Sequence, residues 1–198
     1  MKIVARGEKT ALRLFSDPLT DAEIAEVYEW SRNPEILKWS GGSPLDLTPA
    51  EFRERLYREG LNPPNDRRMF FVVTLDGEMI GRIGCFGLDE NARAGELGVV
   101  IGERGFWDRG FGRDAIATML RYLFETTPLE RVNLYTYPEN IRAQKSFAAC
   151  GFRPLGNAQR VSSDLGEFTG LEMEITRAEF LACAQSYSLK IPLPQGQR

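Results

Sequence analysis

Nine consecutive residues carry the most chemistry in this chain: Trp107-Asp108-Arg109-Gly110-Phe111-Gly112-Arg113-Asp114-Ala115. Two glycines spaced two apart make a turn, and the apolar residues beyond it, Ala115, Ile116, Met119, Leu120, Leu123 and Phe124, repeat at helical spacing. A helix that opens on glycines points unpaired main-chain N–H groups and the positive end of its dipole at one spot. That arrangement suits a pyrophosphate. Upstream, Glu96-Leu97-Gly98-Val99-Val100-Ile101 is a short apolar run of the kind expected for a strand buried on both faces, and Val132-Asn133-Leu134-Tyr135-Thr136 reads as a second strand. Strand, helix and strand of this length form a βαβ unit with a right-handed crossover. The glycine turn then sits at the carboxyl end of the first strand, where ligands of such sheets bind.

Two phosphate-binding readings fit the turn. Gly110, Gly112 and Ala115 match the dinucleotide fingerprint G-x-G-x-x-G/A, with Glu130 at about the expected distance downstream. The context argues against it. In the dinucleotide fold the first glycine follows the strand directly, whereas Gly102 through Arg109 intervene here, and Glu130 precedes the second strand instead of ending it.

The second reading draws on the residues beyond the second strand. Asn140-Ile141-Arg142-Ala143-Gln144-Lys145-Ser146-Phe147-Ala148-Ala149-Cys150-Gly151-Phe152 is a short helix with a polar start and a C-terminal glycine. Four features come in order: an acid opening the central strand, the Arg109-Gly110-Phe111-Gly112 turn, the Asn140-x-x-Ala143 helix start and the Gly151-Phe152 stop. In these the chain, from Glu96 to Phe152, resembles the GNAT superfamily of N-acetyltransferases, and more closely the branch of ribosomal-protein N-terminal and spermidine acetyltransferases. The resemblance implies acetyl-CoA as cosubstrate and an amine as acceptor. It lays the pantetheine arm along Val99, Val100 and Ile101, with main-chain groups of Val99 and Ile101 as its partners, and gives the pyrophosphate to N–H groups of Arg109, Gly110, Phe111, Gly112 and Arg113. Asn140 would contact the arm near the thioester, and Lys145 would face the adenine end.

Two departures from the family pattern bear on the chemistry. Trp107 stands where many members carry Gln or Arg, although the branch named above often has Trp. By the resemblance Phe147 would line the cofactor site, at the position where many members carry a Tyr that protonates the departing thiolate. A thiol pKa of ~8.5 lets the sulfur leave with its charge and take a proton from water. Ser146, Cys150, Tyr135 and Tyr137 are near enough in sequence to substitute, and each also reads as a packing or surface residue. The chain contains no histidine, so general-base work falls to a carboxylate, Tyr, Cys, a backbone group or water. The resemblance gives that role to Glu96, which also reads as an ordinary strand-start charge. An amine of pKa ~10.4 is about three powers of ten short of being neutral at pH 7, and an α-amine of ~8 about one. A carboxylate therefore needs a raised pKa or a water relay to help with either.

Composition bounds the remaining possibilities. At 198 residues, 42% hydrophobic and 27% charged, the chain has the balance of one soluble globular domain. A net charge of −3 with no basic patch argues against nucleic acid as a partner. The three cysteines are widely spaced, and without histidine a metal site would need carboxylate clusters that the sequence does not show. No run approaches a membrane span and no targeting segment is visible, so a cytoplasmic location is the default expectation.

The elements that must position the site can be read outward from it. Thr10 to Phe15 alternates as a strand. Thr20 with Glu23, and Thr48 with Pro49 and Glu51, are capping boxes opening two helices, with breaks at Ser31–Glu35 and Gly41–Pro44 between them. By the resemblance these helices cover the acceptor side, which places Trp30, Trp39 and the loop through Pro44 where the acceptor is chosen, although such aromatics also read as core. Met69 to Leu75, the Asp76-Gly77 turn and Glu78 to Gly87 signal a hairpin. Phe152 begins one edge strand, Phe168 to Ile175 forms another, and Thr176 with Glu179 caps a last helix. The expected protein is a single α/β domain over residues 8–182, a three-layer α/β/α fold whose mixed, mostly antiparallel sheet is split at the acetyl-CoA site, with a tail over 183–198 and a monomer or homodimer state. A reading from another class, a non-catalytic acyl-CoA-binding or regulatory module that has lost its acid along with the Tyr, stays open on sequence alone.

Overall fold

The computed structural model describes residues 1–40, 42–61, 65–89, 91–162 and 166–186. The chain runs β1 (Ile3–Arg6), β2 (Thr10–Leu14), α1 (Asp21–Trp30), α2 (Pro34–Ser40), α3 (Pro49–Leu61), β3 (Arg68–Thr74), β4 (Met79–Asp89), β5 (Ala94–Ile101), a 3₁₀ turn (Arg104–Phe106), α4 (Phe111–Thr126), β6 (Arg131–Thr136), α5 (Ile141–Ala149), β7 (Arg153–Ser162), β8 (Gly166–Thr176) and α6 (Arg177–Ser186). The strands make one sheet in the order β1-β2-β3-β4-β5-β6-β8-β7. Every neighbouring pair is antiparallel except β5 and β6.

That parallel pair decides what the fold can do. It lasts only for Ala94↔Arg131, Gly95↔Val132 and Glu96↔Asn133, after which β5 continues along β4 while β6 continues along β8. The sheet opens beyond Glu96, and the right-handed crossover through α4 returns over one face. Each face has its own core. Leu12, Phe70, Val72, Ile80, Leu134 and Ile175 pack against α4, α5 and α6, while Ala11, Phe71, Val73 and Met79 pack against α1, α2 and α3. The α4 stripe is buried as its spacing demands, with Ala115, Ile116, Met119, Leu120, Leu123 and Phe124 all 4% exposed or less.

The structure adds two elements and moves one boundary. Ile3–Arg6, which holds no clear strand signal, pairs with β2 at the edge of the sheet. Ser31–Glu35, read as a break, contains the start of α2: Pro34 occupies its first position, where a missing N–H costs nothing, and the Asn33 side chain accepts from the Glu35 N–H at 2.9 Å. Cys183, placed in a tail by the sequence, lies in α6. Gly41, residues 163–165 and the residues from 187 on, part of the segment read from the sequence as a tail, lie outside the described residues. Among the described residues no helix is long and apolar enough to cross a membrane, and no cluster of three metal-ligating side chains occurs.

Candidate active site

A cavity of about 670 Å³ fills the opening between β5 and β6. At its mouth the chain after β5 makes the 3₁₀ turn, places Asp108 (φ 56°) and Gly110 (φ 83°) in the left-handed region, and starts α4 at Phe111. Gly110 takes that conformation without a Cβ penalty. It provides α4 with no side-chain cap. The first helical hydrogen bond runs from the Asp114 N–H to the Gly110 carbonyl at 3.0 Å, which leaves the N–H groups of Phe111, Gly112 and Arg113 without helical acceptors. Gly112 has only the Ile101 Cγ1 within 4 Å of where a Cβ would stand, at 3.6 Å, so the protein itself leaves room there.

Several contacts hold this turn in place. The Asp114 carboxylate, instead of capping its own helix, accepts from the main-chain N–H groups of Glu8, Lys9 and Thr10 and from the Thr10 hydroxyl at 2.6 to 3.1 Å, tying α4 to the β1–β2 turn. Lys9 Nζ donates to the Arg109 carbonyl at 2.9 Å and lies 5.5 Å from the Phe111 ring centre. The Arg109 guanidinium turns back to the Gly105 carbonyl at 2.9 Å and lies over Phe106 and Phe111, whose rings meet edge to face at 4.8 Å. Trp107 Nε1 donates to the Ile101 carbonyl at 2.8 Å, and the Arg142 guanidinium stacks 4.0 Å above the Trp107 ring.

Along β5 the main chain alternates in direction. The Val100 carbonyl faces β4, where it would sit 2.2 Å from a Cβ on Gly81, and the next amide in that phase, Gly102 N–H, donates to Ile80 on the same strand. Val99 and the N–H of Ile101 therefore face the opening. The Ile101 carbonyl, expected to be open there, is occupied by Trp107. Opposite, Asn140 is 7% exposed and caps α5, its Oδ1 accepting from the Ala143 N–H at 3.2 Å. Phe147 is 7% exposed, lines the cavity and packs on Phe152 with ring centres 5.9 Å apart. Lys145 is exposed on α5 and does not line the cavity.

Glu96 lines the cavity at the point where the strands part, and its Oε2 accepts from Arg160 on β7 at 2.7 Å. The Arg160 guanidinium lies 3.6 Å from the Tyr135 ring centre, and the Tyr135 hydroxyl donates to Glu172 at 3.0 Å.

The chain and its fold have counterparts among known proteins. The sequence model of the acetyltransferase (GNAT) domain matches residues 13–153. The chain belongs to this family. It is 29% identical over 140 residues to the uncharacterized N-acetyltransferase p20 of Bacillus licheniformis, covering 70% of this chain and 76% of that protein. It is 22% identical over 165 residues to an aminoglycoside N(6')-acetyltransferase type 1 of Klebsiella pneumoniae, covering 76% and 77%. The crystal structure of spermidine N-acetyltransferase from Vibrio cholerae, in complex with CoA and spermine, superposes with a TM-score of 0.72 at 22% identity, covering 87% of this chain and 98% of that one, which bears out the α/β fold.

Within this N-acetyltransferase the substitutes considered for the missing Tyr have other occupations. Burial pushes the Cys150 thiol up to about 12, and its Sγ lies 3.4 Å from the Arg113 carbonyl. Burial raises Cys85 to about 12 in the same way, so neither sulfur is a thiolate at neutral pH. Ser146 donates to the Arg142 carbonyl at 3.1 Å, and Tyr135 is engaged by Glu172. Tyr137 lines the cavity, and burial raises its pKa, keeping its proton on oxygen. Of the aromatics placed on the acceptor side, Trp39 lines the cavity. Trp30 is core: it is 7% exposed, covers Gly102 and donates to Glu103 at 2.7 Å. Glu130, the residue a dinucleotide reading needs, lies outside the cavity and pairs with Arg93 at 2.6 Å. Sequence reasoning missed Arg160 because its meaning comes from Glu96, 64 residues away.

Proposed function

We propose that this N-acetyltransferase moves the acetyl group of acetyl-CoA to a primary amine by direct attack on the thioester. The observation that carries the reading is the split of β5 from β6 beyond Glu96, with an uncapped helix start at its mouth. The free N–H groups of Phe111, Gly112 and Arg113 hold the pyrophosphate, and the charge on it is favoured by the α4 dipole. The pantetheine arm runs as a strand-like partner of Val99 and of the Ile101 N–H. Lys145, exposed on α5, is left for the adenine end. The CoA carried by the Vibrio cholerae relative supports this cosubstrate.

The acetyl carbonyl then lies where the strands part, within reach of main-chain donors that stabilise the developing oxyanion. Holding amine and thioester together supplies much of the acceleration. Glu96 receives the amine proton directly or through one water. The thiolate leaves with its charge, since Phe147 has no proton to give and an ordinary thiol of pKa ~8.5 is a competent leaving group. Thiol release from acetyl-CoA with a panel of amines, together with calorimetric titration of CoA and NAD, tests the reading. Amine-dependent thiol release with CoA binding and no NAD binding is the expected result. Binding of acetyl-CoA without turnover of any amine would instead describe a silent binding module.

A further inference from the structure

The acceptor half of the cavity carries an unusual distribution of charge. Cross-strand partners share a face of the sheet. In register, Phe71↔Arg82↔Val100, then Gly84↔Gly98, then Phe86↔Glu96 present successive rows on the face covered by α1 to α3. Arg82 and Glu96 thus stand at two ends of one strip. Between them the Gly84/Gly98 pair leaves no side chain, and the Phe86 ring lies across the gap: a Cβ on Gly84 or Gly98 would fall 2.9 or 3.2 Å from it. The strip is a cation, an apolar ring and a carboxylate, all lining the same cavity.

The acids that line the acceptor half are already matched. Glu96 pairs with Arg160 at 2.7 Å, Glu59 with Arg55 at 2.8 Å and Glu35 with Arg104 at 2.9 Å. Arg82, half-buried in the cavity wall, makes no hydrogen bond or ion pair among the described residues. Burial works against its charge, with Arg55 adding to the effect and Glu59 opposing it. Away from the α4 turn, where Asp108 also lines the cavity, a polycation would meet one unmatched guanidinium and no unmatched carboxylate among the described residues. A half-buried guanidinium with no protein partner among the described residues, open to the cavity, is placed to take an anionic ligand through a charge-assisted, bidentate contact.

Resting on the reading of this cavity as the acetyl-transfer site, we propose that its acceptor is an amine that also carries a carboxylate. Arg82 holds the carboxylate, the Phe86 ring supports the connecting chain, and the amine reaches the thioester beside Glu96. Four residue steps along β5, from Glu96 to Val100, separate the two ends, roughly 13 Å at ~3.3 Å per step before the side chains reach inward. That span suits an ω-amino acid or a dipeptide, whose amine and carboxylate are several bonds apart, better than an α-amino acid.

Thiol release is measured for ω-amino carboxylates of four to six carbons, for their primary amides and for spermidine. Wild-type protein is expected to favour each carboxylate over its amide by at least about tenfold in kcat/KM, the scale of a charged hydrogen-bonded contact. Arg82→Gln should reduce that preference to about twofold or less, and Arg82→Lys should retain most of it. Calorimetry of CoA binding to Arg82→Gln, expected to match wild type, shows that the variant is folded. Calorimetric titration of carboxylate and amide onto the CoA-loaded protein reads the same preference without turnover. Amides or spermidine serving as well as the carboxylates, equal binding of the two in that titration, or a preference that survives Arg82→Gln would overturn the proposal while leaving acetyl transfer standing. Loss of all CoA binding in the wild-type protein would remove both.

Discussion

The starts of α1 and α3 and the start of α4 face the same physical problem and answer it differently. Each helix begins with N–H groups that have no acceptor inside the helix. In α1 the Thr20 hydroxyl accepts from the Glu23 N–H while the Glu23 carboxylate accepts from the Thr20 N–H at 2.7 Å, and in α3 Thr48 and Glu51 make the same exchange. Those helix starts are satisfied from within. At α4 the equivalent position is Gly110, there is no side-chain cap, and the one acid of its first turn, Asp114, is directed to the β1–β2 turn. The starts of α1 and α3 carry their own carboxylate. The start that borders the cavity has no such cap, which is what the proposed pyrophosphate site requires.

The comparison breaks first at Gly112. Its position is open on the protein side, with one contact at 3.6 Å for an added Cβ, but a branched side chain there fills the space a phosphate needs. Gly112→Val is expected to weaken CoA binding by about 100-fold or more while thermal unfolding shifts little. Calorimetry and a melting curve on the same sample check it. Normal CoA affinity in a folded variant would mean that the turn does not hold the pyrophosphate.

A second variant separates binding from chemistry. If the α4 start binds and Glu96 serves only the proton, Glu96→Gln should lower kcat/KM by roughly 10- to 1,000-fold, most below pH 8, where the amine is protonated, and leave CoA affinity alone. Turnover like wild type from pH 6 to 9 would take Glu96 out of the mechanism.

Legibility in the sequence divides along the same line. The three Thr-x-x-Glu boxes, the Gly110-x-Gly112 turn and the Asn140 cap were readable because each works within four residues of chain. The parallel pairing of β5 with β6 was readable from the strand–helix–strand spacing. The half of the cavity proposed for the acceptor was not. Arg82 is one arginine among many until the sheet sets it across Gly84 and Gly98 from Glu96, and Arg160 acquires its role only when β7 folds beside β8. Trp30 and Trp39 look alike in sequence, yet one covers Gly102 in the core and the other lines the cavity. Main-chain sites are local and side-chain sites are assembled.

The comparison can also be sharpened by giving α4 the device that the other helices have. Arg113 occupies the third helical position, where Glu23 and Glu51 stand in their own helices. Arg113→Glu places a carboxylate over the N–H groups that the pyrophosphate would use and reverses the charge there. The KM for acetyl-CoA is expected to rise about 10- to 30-fold with kcat nearly unchanged, as for lost ground-state binding. A KM that does not move would show that the open helix start is not the anion site.

The smallest effect concerns the internally capped helices and acid. Burial tends to raise the Glu23 carboxyl, but hydrogen bonds from the Thr20 N–H and from Arg13, with the Arg13 charge, outweigh it and hold its pKa below the ordinary value. Hydrogen bonds from the Thr48 side chain and N–H lower Glu51 likewise. A carboxyl whose folded pKa is depressed binds fewer protons in the folded than in the unfolded state. Its stabilisation is therefore full above the ordinary carboxylate value of ~4.3 and is lost as pH falls through the folded value. The amides at the starts of α1 and α3 should lose hydrogen-exchange protection in that window, once intrinsic exchange is corrected for pH. Those of α4 should not, because no carboxylate caps them. Thr20→Ala, which removes half of one box at a cost of about 1 kcal/mol, should bring the loss in α1 to higher pH and leave α3 and α4 as they were. If α4 loosened together with α1 under acid, the two kinds of helix start would not be distinct, and the open end of α4 would need another explanation.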